Sequence, residues 1–187
     1  MIITAKEELL IGRWLKKDPE ALRLLVEEYG RPAYGFCVSF SSGDCRFADV
    51  LFSKAFSSLL CSSGLSELRV PFRVQLLRFV VRELHGAFGI SKPDAPEGCV
   101  PAPEALKKLW PETDLFLRKR LAVILKALAG MTAEEKITLL FRDQMDLEYA
   151  EMAGLLGMNE KKVHKILSRA RIRLEENVDG LMGRGRQ

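Results

Sequence analysis

A chain of 187 residues, 48% of them hydrophobic and 29% charged, has enough apolar material to bury a core and room for one domain or two small ones. Its net charge of +4 is too small to mean anything if spread evenly, so where the charge sits decides whether a polyanion is a partner. Cys37, Cys45, Cys61 and Cys99 fit neither a paired zinc-ligand spacing nor a disulfide framework, so they read as reduced, mostly buried thiols, and no metal or cofactor is assigned.

The first twenty residues meet a charge every few positions and contain no signal-peptide core. No apolar run approaches the roughly 18 residues of a membrane span, so the expectation is a cytoplasmic chain with no membrane span. Apolar residues recur at helical spacing from Leu9, Leu10 and Trp14 through Leu22, Leu25 and Tyr29, then Phe52, Phe56, Leu59 and Leu60, then Leu76, Leu77, Val80, Val81 and Leu84. No strand-like alternation accompanies them, and the fold class expected is all-α. Asp18 before Pro19 predicts a helix start, because the aspartate can cap free N–H groups and the proline lacks one. Ser41 to Asp44 and Ser62 to Gly64 read as loops.

Residues 89–103 carry four prolines and two glycines, which excludes a continued helix and predicts a linker between a domain at 1–88 and another at 104–182. Helical spacing resumes over Glu104 to Trp110, Leu115 to Leu128 and Thr132 to Arg142. Thr132 followed by Glu135 predicts a capping box. The final GRGRQ is expected to be disordered.

Between 147 and 173 the pattern predicts a helix-turn-helix. Ala153 lets two helices approach, Gly157 can take the positive φ that ends the first, and Asn159 can cap the second. On the second helix Val163, Ile166, Leu167, Ala170 and Leu174 share one face, which turns Lys161, Lys165 and Ser168 toward a major-groove floor. Lys162, Arg169 and Arg173 line one shoulder and His164 with Arg171 the other, where phosphates would run. Lys161, Lys162, Lys165, Arg169, Arg171 and Arg173 against Glu160 leave a net charge of five, more than the whole chain's excess of four. Concentration of charge on one helix is what neutralising phosphates requires, and the partner expected is double-stranded DNA.

The stretch LAGMTAEEKITLLFRDQMDLEYAEMAGLLGMNEKKVHKILSRARIRL resembles, without gaps, the C-terminal domain of extracytoplasmic-function sigma factors of the sigma-70 family. Met131-Thr132-Ala133 stands where that family usually has Leu-Pro-Pro, and Lys136 stands for its usual Arg. Tyr149 to Ala153 is similar to its YxEIA, and Arg169-Ala170-Arg171 matches its RAR. The resemblance implies a domain that reads the promoter minus-35 element and touches the β flap of core RNA polymerase. The N-terminal half resembles the family's promoter-melting domain through ELLIGRWLKKDPEALRLLVEEY and ADVLFSKAF. That implies a contact with the β′ clamp through Asp49, Phe52, Ser53 and Phe56, and melting through Arg73, Gln75, Arg78 and Arg82.

Two stretches depart from the family pattern. In the clamp helix Val50, Ser53 and Lys54 replace Asp, Gln and Glu, and a lysine in place of a glutamate reverses charge at an interface. In the melting helix Gln75 replaces an aromatic and Arg82 an asparagine, although melting needs exposed rings on which flipped bases stack. Phe72, Phe79 and Phe88 are the rings present, and Phe79 falls with Leu76 on a face expected to be buried.

The leading reading is thus a transcription initiation factor. The alternative is a degenerate sigma-like regulator acting through protein contacts, such as a decoy for an anti-sigma factor. A plain DNA-binding regulator would explain the helix-turn-helix but not the N-terminal half. No Gly-rich phosphate loop, metal cluster or paired nucleophile and base suggests an enzyme, and Glu134-Glu135 and Glu175-Glu176 read as solvent-facing helix acids.

Overall fold

The computed structural model describes residues 4–61, 70–88 and 115–183, with backbone alone for 87, 88 and 115–118. The expected linker at 89–103, the helix over 104–110, the loop at 62–64 and the last four residues lie outside the described residues. Every element among the described residues is helical, as the spacing of apolar side chains predicts.

Helix α1 spans Ala5–Leu15 and starts where the Thr4 hydroxyl accepts the Glu7 N–H at 3.2 Å. Helix α2, Pro19–Leu25, is capped by Asp18, whose carboxylate accepts the N–H groups of Glu20 at 3.0 Å and Ala21 at 3.4 Å. A π-helical segment, Val26–Gly30, carries it into α3, Arg31–Phe40. Helices α4, Cys45–Cys61, and α5, Phe72–Phe88, complete the N-terminal half and pack against each other. Leu10, Ile11, Ala21, Leu25, Ala33, Leu59, Phe72 and Leu76 form a closed apolar cluster there. Leu9 and Leu60, which share the helical rhythm, are instead exposed at 64% and 42%.

Among the described residues of this half one acid, Glu7, is buried. The Glu7 carboxylate accepts the backbone N–H of Phe72 at 2.6 Å, which satisfies an orphan donor at the start of α5 and ties that helix to α1.

The C-terminal half comprises α6, Leu115–Ala129; α7, Ala133–Asp143; α8, Tyr149–Leu156; and α9, Glu160–Leu181. The capping box at the start of α7 forms as expected: Thr132 Oγ1 accepts the Glu135 N–H at 3.3 Å, and the Glu135 carboxylate accepts the Thr132 N–H at 3.1 Å. Glu135 is not solvent-facing, however. It is buried, because the same carboxylate also accepts from Arg173.

The two halves share a core. A single apolar cluster runs from Phe36, Cys37 and Phe40 through Leu77, Val80 and Leu84 to Leu128, Ile137, Phe141, Met152 and Val163. Helix α3 packs on α7, and α5 packs on α8. At the seam the rings of Phe36 and Phe141 stack with centroids 5.2 Å apart. Beside them the Lys136 amine, on a side chain only 1% exposed, donates to Ser42 Oγ at 3.1 Å.

Candidate nucleic-acid interface

Helices α8 and α9 meet over a three-residue turn, Gly157-Met158-Asn159. Gly157 sits at φ 64° and ψ 33°, the left-handed conformation that ends a helix and that a Cβ would strain. The Met158 N–H closes back on the Ala153 carbonyl at 3.1 Å. Asn159 Oδ1 accepts the Lys162 N–H at 2.8 Å and so starts α9. Glu148 and Glu151 form a second capping box at the start of α8.

Val163, Ile166, Leu167 and Ala170 bury one face of α9 against α7 and α8, while Leu174 is partly buried. Lys161, Lys165, Ser168 and Arg169 are exposed on the opposite face, continued by Ile172 at 57% exposure. Their spacing of 4, 3 and 1 residues puts them in one stripe. Ser168 Oγ donates to the His164 carbonyl at 2.9 Å, so its hydroxyl is oriented while its oxygen can still accept.

The basic shoulders divide into two kinds of cation. Lys162 pairs with Glu134 at 3.2 Å, Arg171 with Asp143 at 2.6 Å, and Arg173 with Glu135 at 3.0 Å. The Asp143 carboxylate holds the Arg171 guanidinium above its ordinary value. Burial pushes the Glu135 carboxyl up, but the Thr132 backbone and hydroxyl donors and Arg173 outweigh it, and the net shift is downward. Among the described residues, Lys161, Lys165 and Arg169 have no such ion pair. Half of the six basic side chains therefore help hold α9 on α7, and half are free for a polyanion.

His164 lies on the exposed side of α9 and stacks on Tyr149 of α8, with ring centroids 3.6 Å apart and planes 17° from parallel. The Arg142 guanidinium lies 5.6 Å from the Tyr149 ring, and its N–H donates to the Leu147 carbonyl at 2.8 Å. This set fixes the two helices of the motif relative to each other. Nothing in the local sequence pattern announces it, since the partners come from three elements.

The N-terminal candidates are placed differently. On α4, Asp49 and Ser53 are exposed, with Phe52 and Phe56 half-buried and stacked on each other at 5.9 Å. Asp49 accepts the Tyr34 hydroxyl proton at 2.7 Å; burial, then that bond, pushes the Tyr34 hydroxyl above its ordinary value. Lys54 is exposed beside them. On α5, Arg78 and Arg82 are exposed and Arg73 half-buried. Gln75 is turned inward, 6% exposed, and its amide donates to the Val70 carbonyl at 2.7 Å. The position faces the core and not a base, and the glutamine there fixes the start of α5. Phe72 is fully buried, and Phe79 is half-buried beneath the Arg82 guanidinium at 4.6 Å. The side chain of Phe88 lies outside the described residues.

Among the described residues no helix is long and apolar enough to cross a membrane. No curated protein matches the chain. Residues 121–174, which hold the last part of α6, all of α7 and α8 and most of α9, match the family model described as Sigma-70, region 4, so the segment that carries the helix-turn-helix is similar to the promoter-recognition region of sigma-70 factors.

Proposed function

We propose that the chain is a sigma-70-type transcription initiation factor of the extracytoplasmic-function kind, which binds core RNA polymerase and directs it to promoters by reading the minus-35 element with α9. The observation that carries this reading is the coincidence of two features in one segment. The stretch similar to sigma-70 region 4 is also where Lys161, Lys165, Ser168 and Arg169 form an exposed stripe on the second helix of a helix-turn-helix. Residues 1–88 and 104–182 are the two working units in this reading, and 89–103 is their tether.

Roles follow from position and pairing. Lys161, Lys165 and Ser168 lie on the exposed face of α9 opposite its buried one and read base edges. Arg169, free of an in-chain carboxylate, meets the phosphate strands directly, with His164 and Asn159 near them; Lys162, Arg171 and Arg173 lie along the same shoulders but are held by acids of α7. Asp49, Phe52, Ser53 and Phe56 face the β′ clamp, and Arg73, Gln75, Arg78 and Arg82 belong to the melting helix. The C-terminal unit also meets the β flap. The work is done in the cytoplasm, without a cofactor and without catalysis by the chain itself.

A second reading is favoured by the N-terminal half. Asp49 is engaged by Tyr34, Lys54 is exposed where a glutamate is usual, and Gln75 is buried. These features suit a sigma-like regulator that works through protein contacts, such as a decoy for an anti-sigma factor. Copurification separates the two. Recovery of β and β′ with the tagged full chain supports the initiation factor, whereas recovery of a small anti-sigma partner without polymerase subunits replaces it with the regulator.

A further inference from the structure

The exposed face of α9 changes sign along its length. Lys161, Lys165, Ser168, Ile172, Glu176 and Asp179 follow one another at steps of three and four residues, so they stand in one line on the helix. The first half of that line is basic, with Arg169 beside it. Ile172, 57% exposed, marks the change, and beyond it the line is acidic, with Glu175 beside Glu176 and Asp179. Glu175 and Glu176 are both exposed. Arg173 is already held by Glu135, and among the described residues no cation pairs with either acid.

The folding of α9 does not call for these acids. They lie in its last two turns, where the helix dipole favours cations, and the last turn holds no base. An acid placed there costs stability, and an ion pair does not offset it. Their place relative to DNA supplies a reason. From Lys161 to Arg169 the helix rises roughly 12 Å, about the width of the major groove. Glu175 and Glu176 begin roughly 9 Å further along, past the wall of that groove. A helix laid flat across the groove brings both carboxylates over a phosphate strand. One tipped in by its N-terminal end lifts them away from it.

We propose that Glu175 and Glu176 are positioning residues for DNA reading: they repel the phosphate strand whenever α9 lies flat, and so hold the helix to the tipped entry in which Lys161, Lys165 and Ser168 reach base edges. Flat binding is the mode that charge alone favours on any sequence, because Lys161, Lys165 and Arg169 are free of in-chain carboxylates. The two acids therefore weaken sequence-independent binding more than binding at a matched site, and they widen the ratio between the two. This rests on the reading of α9 as the DNA-reading helix.

The test uses the full chain with both acids changed together, as Glu175→Gln with Glu176→Gln and as Glu175→Asp with Glu176→Asp. Glu8→Gln, on the exposed side of α1, controls for net charge. Two probes are compared by fluorescence anisotropy: the duplex that the wild-type chain enriches most from a randomised library, and a mixed-sequence duplex that it does not enrich. Two unit charges about 7 Å apart in water repel enough to change affinity about threefold, so relieving both carboxylates should strengthen binding to the mixed-sequence duplex about tenfold. The salt slope on that duplex should steepen as well, while affinity for the enriched duplex stays within about twofold of wild type. The aspartate pair keeps both charges and should behave as wild type, as should Glu8→Gln. Equal gains on both duplexes, no gain on either, or gains of the same size in the aspartate or Glu8 variants overturn the proposal and leave α9 as the reader. A wild-type chain that enriches no duplex at all removes the DNA-reading role and the proposal with it.

Discussion

The division of α9 into free and committed cations has a measurable consequence in two arginines four residues apart. Each phosphate contact on duplex DNA contributes about 0.9 to the slope of log affinity against log salt. Arg169 is exposed and free of an in-chain carboxylate, so Arg169→Ala should lower that slope by about 0.9. Between 50 and 200 mM salt one such contact changes in strength by about 3.5-fold, so the defect of Arg169→Ala should be about 3.5 times larger at the low-salt end. The loss should be the same on promoter and random duplexes, because phosphates carry no sequence. Arg173, by contrast, bonds at 3.0 Å to Glu135, whose side chain is 9% exposed and also serves the capping box of α7. Arg173→Ala should leave the slope almost unchanged and cost about 1 kcal/mol of stability, the charged bond being discounted because Arg173 is itself half exposed. For a protein of this size that is a fall of roughly 2–4 °C in Tm. Fluorescence anisotropy at five or six salt concentrations, with a thermal melt of each variant, supplies both readouts. If Arg173→Ala flattens the slope as much as Arg169→Ala does while melting like wild type, the pairing that separates the two residues is wrong.

Other consequences follow from single contacts. Burial holds the Lys136 amine down to about 8 from its ordinary 10.5, so between those values the unfolded chain binds more protons than the folded one and stability rises with pH. The penalty is fully present below about 8 and amounts to about 3 kcal/mol. Burial also pushes the Cys37 thiol up to about 12 from 9.0, which lowers stability as pH climbs above about 9, so the difference between wild type and Lys136→Met isolates the lysine. Denaturant titrations at pH 7.5 and 9.5 should bring wild type closer to Lys136→Met at the higher pH; a constant gap would contradict a buried, charged amine. Phe141→Ala removes a fully buried ring from the seam and should cost about 3–5 kcal/mol by chemical denaturation. Gly157→Ala should cost roughly 1 kcal/mol or more by chemical denaturation through its positive φ alone, because no atom lies within 4 Å of the added Cβ.

The parts of the fold legible in the sequence are those whose causes are local. Asp18 before Pro19, Thr132 before Glu135, Gly157 and Asn159 act within four residues of themselves, and each appears in the structure as its spacing predicts. The buried face of α9 was legible for the same reason. What escaped has its partner far along the chain. Nothing local marks Lys136 for burial before Ser42 is placed over it, or Glu7 before Phe72 brings an N–H to it, and Glu135 reads as solvent-facing until Arg173 folds back. Leu9 and Leu60 mislead in the other direction, since they keep the helical rhythm but stand on exposed surface. Gln75 could be seen to replace an aromatic, but its inward turn toward Val70 depends on how α5 begins. The stripe of Lys161, Lys165 and Ser168 was visible from charge and period, though Arg169, which reads as a shoulder residue, stands beside them on the exposed face. Which shoulder cations remain unpaired was not, because that depends on acids of α7.

Reconstituted transcription tests the central proposal most directly. Purified full chain added to core RNA polymerase on a panel of genomic promoters should yield specific transcripts whose starts share an upstream element, and substitutions of Lys161 or Lys165 should change which promoters respond. Core polymerase that stays silent on the whole panel, together with no detectable binding of the chain to β or β′, would contradict the assignment and leave a DNA-binding protein of another kind.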